Sequence, residues 1–170
     1  MWHIFNNDNC EEGEIQSLAD ALIKHYQDIY APGQVICIDE SLIPFQGRLV
    51  IKQYIPEKSH KYGVKIFKLC CGKGYTWNLQ IYAGKQRDKG ASVPTNLVMN
   101  LSKDLLDAGR TIVTYNYYTS VELANRLLDR GTHLVGTLRS NRKGNPREVT
   151  GRKLNRAKYM AKKMKGVFVW

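Results

Sequence analysis

The chain has 170 residues, of which 43% are hydrophobic, and it carries a formal net charge of +11. This length suffices for one domain with a real core. No apolar run approaches the roughly 18 residues of a membrane-spanning helix, and the N-terminus lacks the basic start and apolar stretch of a signal peptide. The four cysteines show no framework spacing, so we expect reduced thiols, as in a cytosolic or nuclear protein.

The charge is distributed unevenly along the chain. Residues 1–34 hold one Lys and six acids, whereas residues 131–170 hold eleven basic residues and a single acid, Glu148. Such a gradient indicates an anionic partner for the C-terminal part, with nucleic acid as the first candidate. Binding to a ribosome or a membrane surface would produce the same gradient, so charge alone leaves these alternatives open.

Hydrophobic periodicity predicts an order of elements that begins with a helix and a strand meander and ends with alternating units. The first helix covers residues 13–30. It is followed by strands at Val35–Asp39, 48–54, 63–71 and 75–83. A second helix opens at Ser92 and ends at Gly109, a third is capped by Ser120 and stopped by Gly131, and strands cover Thr111–Tyr115 and His133–Leu138. This order predicts an α/β fold with a mixed sheet flanked by helices.

Asp39 is the first residue that could carry chemistry. It follows the apolar run Val35–Ile38, and a carboxylate there is costly to bury unless it is paired or binds a cation. Ligands also tend to bind at strand ends in open α/β sheets. The alternative is that Asp39 simply begins a turn.

Six blocks of sequence, in order and at consistent spacing, resemble the catalytic domain of piggyBac transposases. They begin at Ile38-Asp39-Glu40, Lys52-Gln53-Tyr54, Lys61-Tyr62-Gly63, Tyr82-Ala83-Gly84, Asn116-Tyr117-Tyr118 and Val135-Gly136-Thr137. The resemblance implies a ribonuclease H-like fold, here incomplete, with three aspartates that hold two Mg²⁺ or Mn²⁺ ions. Two such metals can activate the attacking oxygen and stabilise the leaving one during phosphoryl transfer on DNA.

The sequence departs from the family pattern at the second aspartate. The resemblance places Asp39 at the first aspartate and Tyr115 at the second, and it puts the third beyond the last matched block. A phenol is neutral at pH 7, is a poor Mg²⁺ ligand, and is much larger than a carboxylate; the neighbouring Asn116 offers only a weak carbonyl substitute. We therefore expect Asp39 to be the surviving metal ligand, no metal to be bound, and catalysis to be absent.

Basic residues in two segments are predicted to contact DNA. The first segment contains Lys52, Lys58, Lys61 and Lys65, and the second contains Arg139, Arg142, Lys143, Arg147, Arg152 and Lys153. For the first segment, contact with DNA phosphates and a solvated strand face are equally favoured. For the second, the alternatives to DNA contact are a nuclear-import signal and a simple contribution to solubility.

These observations predict a transposon-derived, nuclear DNA-binding protein that is a remnant of a cut-and-paste transposase. The predicted organisation is a helical segment over 1–34 from a preceding domain, a partial ribonuclease H-like core over 35–143, and a basic segment over 144–170. DNA is the expected partner, without a small-molecule substrate, and self-association is left open. One alternative is an active transposase or nuclease that completes its site from a longer form or a second chain; another is a fragment of a decayed gene without function.

Overall fold

A computed structural model describes residues 12–82, 93–151, 158 and 160–169 of the chain. The helices are α1 (Glu12–Ile29), α2 (Val93–Ser102), α3 (Val121–Leu128) and α4 (Arg147–Thr150). The strands are β1 (Val35–Pro44), β2 (Lys52–Tyr54), β3 (Tyr62–Cys71), β4 (Tyr75–Ile81), β5 (Thr111–Thr114), β6 (His133–Gly136), β7 (Lys162–Met164) and β8 (Val167–Val169). Two compact units can be recognised, the first formed by Met1–Gly33 with Cys37–Gly90 and the second by Gln34–Ile36 with Ala91–Trp170.

The first unit is an antiparallel meander with a helix packed on it. Strand β3 lies between β2 and β1 and also pairs with β4, and the β3–β4 register shifts at a bulge between Leu69 and Cys70. Helix α1 packs against β4, where the Tyr75 hydroxyl donates to the Tyr26 carbonyl at 2.9 Å. Ile38 is fully buried and belongs to the core of this unit, whereas the next residue along β1, Asp39, points to the other face and is exposed.

The second unit is built on parallel pairing. Strands β5 and β6 are parallel, in a register that runs from Thr111 opposite His133 to Thr114 opposite Gly136. The helix between them, α3, supplies the crossover that parallel strands require. The start of β1 lies beside β5, and the Thr111 amide donates to the Gln34 carbonyl at 2.9 Å. The core of this unit contains the fully buried side chains Val98, Ile112, Tyr118, Leu123 and Leu127.

The predicted α/β class, with a mixed sheet flanked by helices, is confirmed, and several local signals were read correctly. The first helix lies within one residue of its predicted bounds. The Ser120 hydroxyl caps α3 by accepting from the Leu123 amide at 3.1 Å. Gly131 has the left-handed φ of 55° that favours glycine after a helix.

The prediction that the first strand ends at Asp39 was wrong, because β1 continues to Pro44. Pairing with strand β3 extends β1, and just after its end the Phe45 amide still donates to the Tyr62 carbonyl at 3.2 Å. Asp39 is therefore a mid-strand residue and does not begin a turn.

Several other predicted elements were, by contrast, longer than the observed ones. The strand predicted over 48–54 is only Lys52–Tyr54, because the Lys52 amide donates to the Leu49 carbonyl at 3.1 Å and makes a turn there. Helix α2 ends at Ser102 and gives way to a 3-10 turn over Lys103–Leu105. Strands β4, β5 and β6 end at Ile81, Thr114 and Gly136, short of the predicted ends. No helix or strand was predicted in the basic segment, yet it contains α4 and the hairpin of β7 and β8.

Candidate functional site

In the first unit, Asp39 and Glu40 point to opposite faces of β1 because strand side chains alternate. Asp39 is exposed, whereas Glu40 is half-buried and forms an ion pair with Lys65, with 3.7 Å between Glu40 Oε2 and Lys65 Nζ. On the same face as Asp39, burial raises the pKa of the Cys37 thiol, and the nearby Cys70 and the Asp39 carboxylate raise it further. The first predicted acid thus lies beside a thiol and is open to solvent.

Two of the four lysines predicted to contact DNA in this unit are engaged within the protein. The Lys65 ammonium, besides its ion pair, lies 4.9 Å from the centre of the Phe67 ring. Lys52 Nζ donates to the Gly47 carbonyl at 2.8 Å. Lys58 and Lys61 are exposed in the loop between β2 and β3. A solvated strand face and a phosphate-binding edge both remain as predictions, now with Lys58 and Lys61 as the accessible pair.

In the second unit, Tyr115 opens a tight turn directly after β5. Its carbonyl accepts from the amides of Tyr118 and Thr119, at 3.0 and 3.1 Å, and from the Thr119 hydroxyl at 2.9 Å. That hydroxyl also contacts the Thr114 hydroxyl at 2.8 Å, in a buried position. Tyr115 is 65% exposed, and the turn is held by its carbonyl and by the Thr119 hydroxyl.

Two of the predicted DNA-binding arginines lie against this turn. Arg139 Nη2 donates to Asn116 Oδ1 at 3.2 Å, and Arg142 Nη2 donates to the carbonyls of Asn116 and Tyr117. The Asn145 amide holds the same segment by donating to the Arg139 carbonyl at 2.8 Å. Arg142 is half-buried, so its guanidinium serves as a structural clamp for the turn. No local pattern around Arg142 indicated this role, because it depends on contacts between segments about 25 residues apart.

The remaining basic residues of this segment fall into two groups. Lys143, Arg147, Lys158, Lys163 and Lys165 are exposed. Lys162 forms an ion pair with Glu148, with 2.7 Å between Nζ and Oε2. The predicted contacts Arg152 and Lys153 lie outside the described residues.

The donor groups present do not fit a two-metal centre. Across residues 12–82, 93–151, 158 and 160–169, no three His, Cys, Asp or Glu side chains come together in a way that could hold a metal ion. The position that the resemblance assigns to the second acid carries a phenol, which supplies no hard anionic oxygen at neutral pH.

The first unit also contains a cavity of about 590 Å³ that is lined entirely by apolar side chains, among them Leu18 and Leu22 of α1 and Ile66 of β3. It offers no titratable or nucleophilic group and is not a catalytic centre. None of the described helices has the length and apolar character that a bilayer crossing requires.

Comparison with known proteins identifies the family. A sequence profile of the family described as Transposase IS4 matches residues 5–168. The human PiggyBac transposable element-derived protein 3 is 28% identical over 152 residues, which cover 82% of this chain and 25% of that protein. The human Chimeric ERCC6-PGBD3 protein matches with the same identity and coverage of this chain, over 14% of its own length.

A solved structure agrees with these relatives. The chain resembles a piggyBac transposase in a synaptic complex with hairpin DNA, with a TM-score of 0.76 and 31% identity over 88% of this chain and 32% of that one. The predicted α/β class, with a mixed sheet flanked by helices, is thereby confirmed as the fold of a piggyBac transposase. The chain spans a quarter or less of the length of the curated relatives it matches. It belongs to the Transposase IS4 family and is a transposon-derived protein of the piggyBac type.

Proposed function

We propose that this chain binds duplex DNA without sequence preference and does not cleave or join it. The observation that carries the binding is the set of exposed basic side chains in the second unit: Lys143, Arg147, Lys158, Lys163 and Lys165. Each can neutralise a phosphate and release a counterion, which is the main source of sequence-independent affinity. The resemblance to a transposase that was solved in complex with hairpin DNA supports the same partner.

The absence of catalysis follows from Tyr115. The turn that follows β5 is intact in its backbone hydrogen bonds, but the side chain at the position of the second acid is a phenol. A single carboxylate, Asp39, cannot supply the ligands that a pair of divalent ions requires. On this proposal, the chain keeps the turn after β5 but lacks the carboxylate that a metal ion would need there.

The binding is tested by neutralising the exposed residues and sparing Arg139 and Arg142, which hold the turn. In the parent, log K for a duplex should fall linearly with log salt with a slope of roughly −4.5 if these five side chains engage. A variant with the five exposed residues changed to Gln should lose most of that slope. As a matched control, Lys24→Gln, Arg48→Gln and Lys103→Gln, also at exposed positions, should leave it unchanged. Equal slopes in the parent and the five-residue variant would contradict the proposal.

The lack of cleavage is tested by incubating supercoiled plasmid with the chain and millimolar Mg²⁺ or Mn²⁺. No nicking above the level of an Asp39→Ala variant is expected. Metal-dependent nicking that disappears in Asp39→Ala would contradict the proposal, and it would favour an active enzyme that completes its site from a second copy. A chain that shows no cooperative melting would instead favour a fragment without function.

The proposed location is the nucleus, where a DNA-binding protein meets its partner. The basic segment over 144–170 supports this, since clusters of Lys and Arg also serve as import signals. A fluorescent fusion of the whole chain should accumulate in nuclei, and the five-residue Gln variant should do so less. Uniform distribution of both fusions would overturn this proposal.

A further inference from the structure

An exposed pair of tyrosines stands at the edge of the meander in the first unit. Tyr54 of β2 and Tyr62 of β3 are directly opposite in the antiparallel register, so their side chains leave the same face. Their ring centres are 4.9 Å apart, with planes inclined by 41°. The two residues are 55% and 52% exposed, which is unusual for a contacting aromatic pair, because such pairs normally gain from burial.

Three lysines lie on the strand and the loop that adjoin these rings. Lys52 lies two residues before Tyr54 and therefore shares its face, and its ammonium is 5.7 Å from the centre of the Tyr62 ring. Lys58 and Lys61 are exposed in the connecting loop, where Glu57 is the one acid between Tyr54 and Tyr62. An anion that reaches the rings would meet the Lys52 ammonium, with two further cations in the adjoining loop.

The backbone beneath the tyrosines is held firmly in place. The Ile55 amide donates to the Lys61 carbonyl at 2.8 Å and closes the loop, and the Tyr62 carbonyl accepts from the Phe45 amide at 3.2 Å. Gly63 lies so close to the Ile43 carbonyl that a Cβ at this position would overlap it. A rigid backbone reduces the entropy that the rings would lose when a ligand stacks on them.

We propose that Tyr54 and Tyr62, with Lys52, Lys58 and Lys61, form a stacking platform for unpaired nucleotides of single-stranded DNA. Exposed rings on which bases stack, flanked by cations that contact the phosphates, are the combination that single-strand binding requires, and a paired duplex does not offer base faces to such rings. This inference deepens the proposed DNA binding, because it assigns a second DNA form to a surface in the other unit.

The test compares a single-stranded oligonucleotide and a blunt duplex of equal length, bound by the whole chain at low salt. A Tyr54→Leu/Tyr62→Leu variant keeps apolar bulk and removes both rings. It should bind the single strand about tenfold more weakly or worse, since stacking on one aromatic ring typically accounts for a factor of this size. Its duplex affinity should stay within about twofold of the parent's, because the residues proposed to contact the duplex are untouched.

Two controls separate stacking from folding. A Tyr54→Phe/Tyr62→Phe variant keeps the rings and should bind the single strand as the parent does. Tyr30→Leu removes another exposed tyrosine, whose ring contacts that of Tyr75, and it should leave the affinity for the single strand unchanged. A 2-aminopurine base in the oligonucleotide should lose fluorescence on binding to the parent and to the Phe variant, but not to the Leu variant.

The result that overturns the platform is single-strand affinity that is undetectable in the parent, unchanged in the Leu variant, or reduced by the same factor as duplex affinity. Failure of the general DNA-binding proposal would look different. Duplex binding would then be missing or insensitive to salt in the parent, whereas the dependence of single-strand binding on the tyrosine rings would still be measurable.

Discussion

The segment after β6 and the edge formed by β2 and β3 each combine cations that bond within the protein with cations that are exposed. After β6, the Arg142 guanidinium donates to the carbonyls of Asn116 and Tyr117. At the strand edge, the loop lysines Lys58 and Lys61 remain exposed next to exposed rings. A basic residue in the sequence is therefore a candidate for binding only after its contacts within the protein are known.

Arg142 and Lys143 are neighbours with different proposed roles, so substituting each in turn tests the difference between an engaged and an exposed cation. Arg142→Met should lower the free energy of unfolding by about 1.5–3 kcal/mol, since it removes hydrogen bonds made by a charged group and leaves two carbonyls without this donor. Lys143→Gln should leave stability unchanged and reduce the salt slope of duplex binding by about 0.9. Urea unfolding and salt titration of both variants check this. If Lys143→Gln were the more destabilising change, the assignment of a clamp to Arg142 would be wrong.

The rigidity of the strand edge can be tested at Gly63. Gly63→Ala would push a methyl group against the Ile43 carbonyl, and such overpacking typically costs about 1–3 kcal/mol. Gly33→Ala is the matched control, because a Cβ there meets nothing within 4 Å, and its effect should stay within about 0.5 kcal/mol. Thermal melts that coincide for the two variants would show that β3 does not approach β1 this closely.

The side chain of Tyr115 should matter little for stability, in contrast to the turn that it opens. Because the phenol is 65% exposed and the turn is held by the carbonyl of Tyr115, Tyr115→Asp should change the free energy of unfolding by less than about 0.5 kcal/mol. Thr119→Val, which removes a buried hydroxyl bonded to Thr114, should cost about 1–3 kcal/mol. A larger loss for Tyr115→Asp than for Thr119→Val, in urea unfolding, would contradict this account of the turn.

The smallest expected effect concerns Asp107 and Arg130 in the second unit. Hydrogen bonds from the Arg130 guanidinium, at 3.0 Å from its Nε, lower the pKa of the Asp107 carboxyl. A lowered pKa in the folded state means that the contribution to stability is present above the unfolded pKa of about 4 and is lost as the pH falls through the folded value. Asp107→Asn tolerates the same left-handed backbone, with φ of 60°. It should be slightly less stable than the parent at pH 7, and the difference should shrink as the pH falls below about 4. A difference that persists at low pH would rule out the carboxylate as its source.

Sequence reasoning recovered what local signals encode and missed what distant contacts decide. The cap at Ser120 and the stop at Gly131 were predicted because each depends on a few adjacent residues. The end of β1 was misplaced because pairing with β3, more than 20 residues away, extends it beyond Asp39. The hairpin of β7 and β8 was missed because strands of three residues are too short to show a period.

The candidate site follows the same division. The assignment of Tyr115 to the position of the second acid rests on six ordered blocks of sequence, and it stays a prediction. The clamp made by Arg142 and the facing of Tyr54 and Tyr62 were not visible, because both require a register or a fold that one sequence does not specify. Residue types with a given chemistry could be recognised in the sequence, whereas the exposure of each side chain and its contacts within the protein could not.

The most direct test of the central claim is the affinity of the whole chain for two duplexes of unrelated sequence at 50 and 200 mM salt. Binding through the five exposed cations should weaken about 500-fold between these concentrations, and by the same factor for both sequences. Affinities that change less than about tenfold, or that differ strongly between the two duplexes at each salt concentration, would contradict binding through the phosphate backbone.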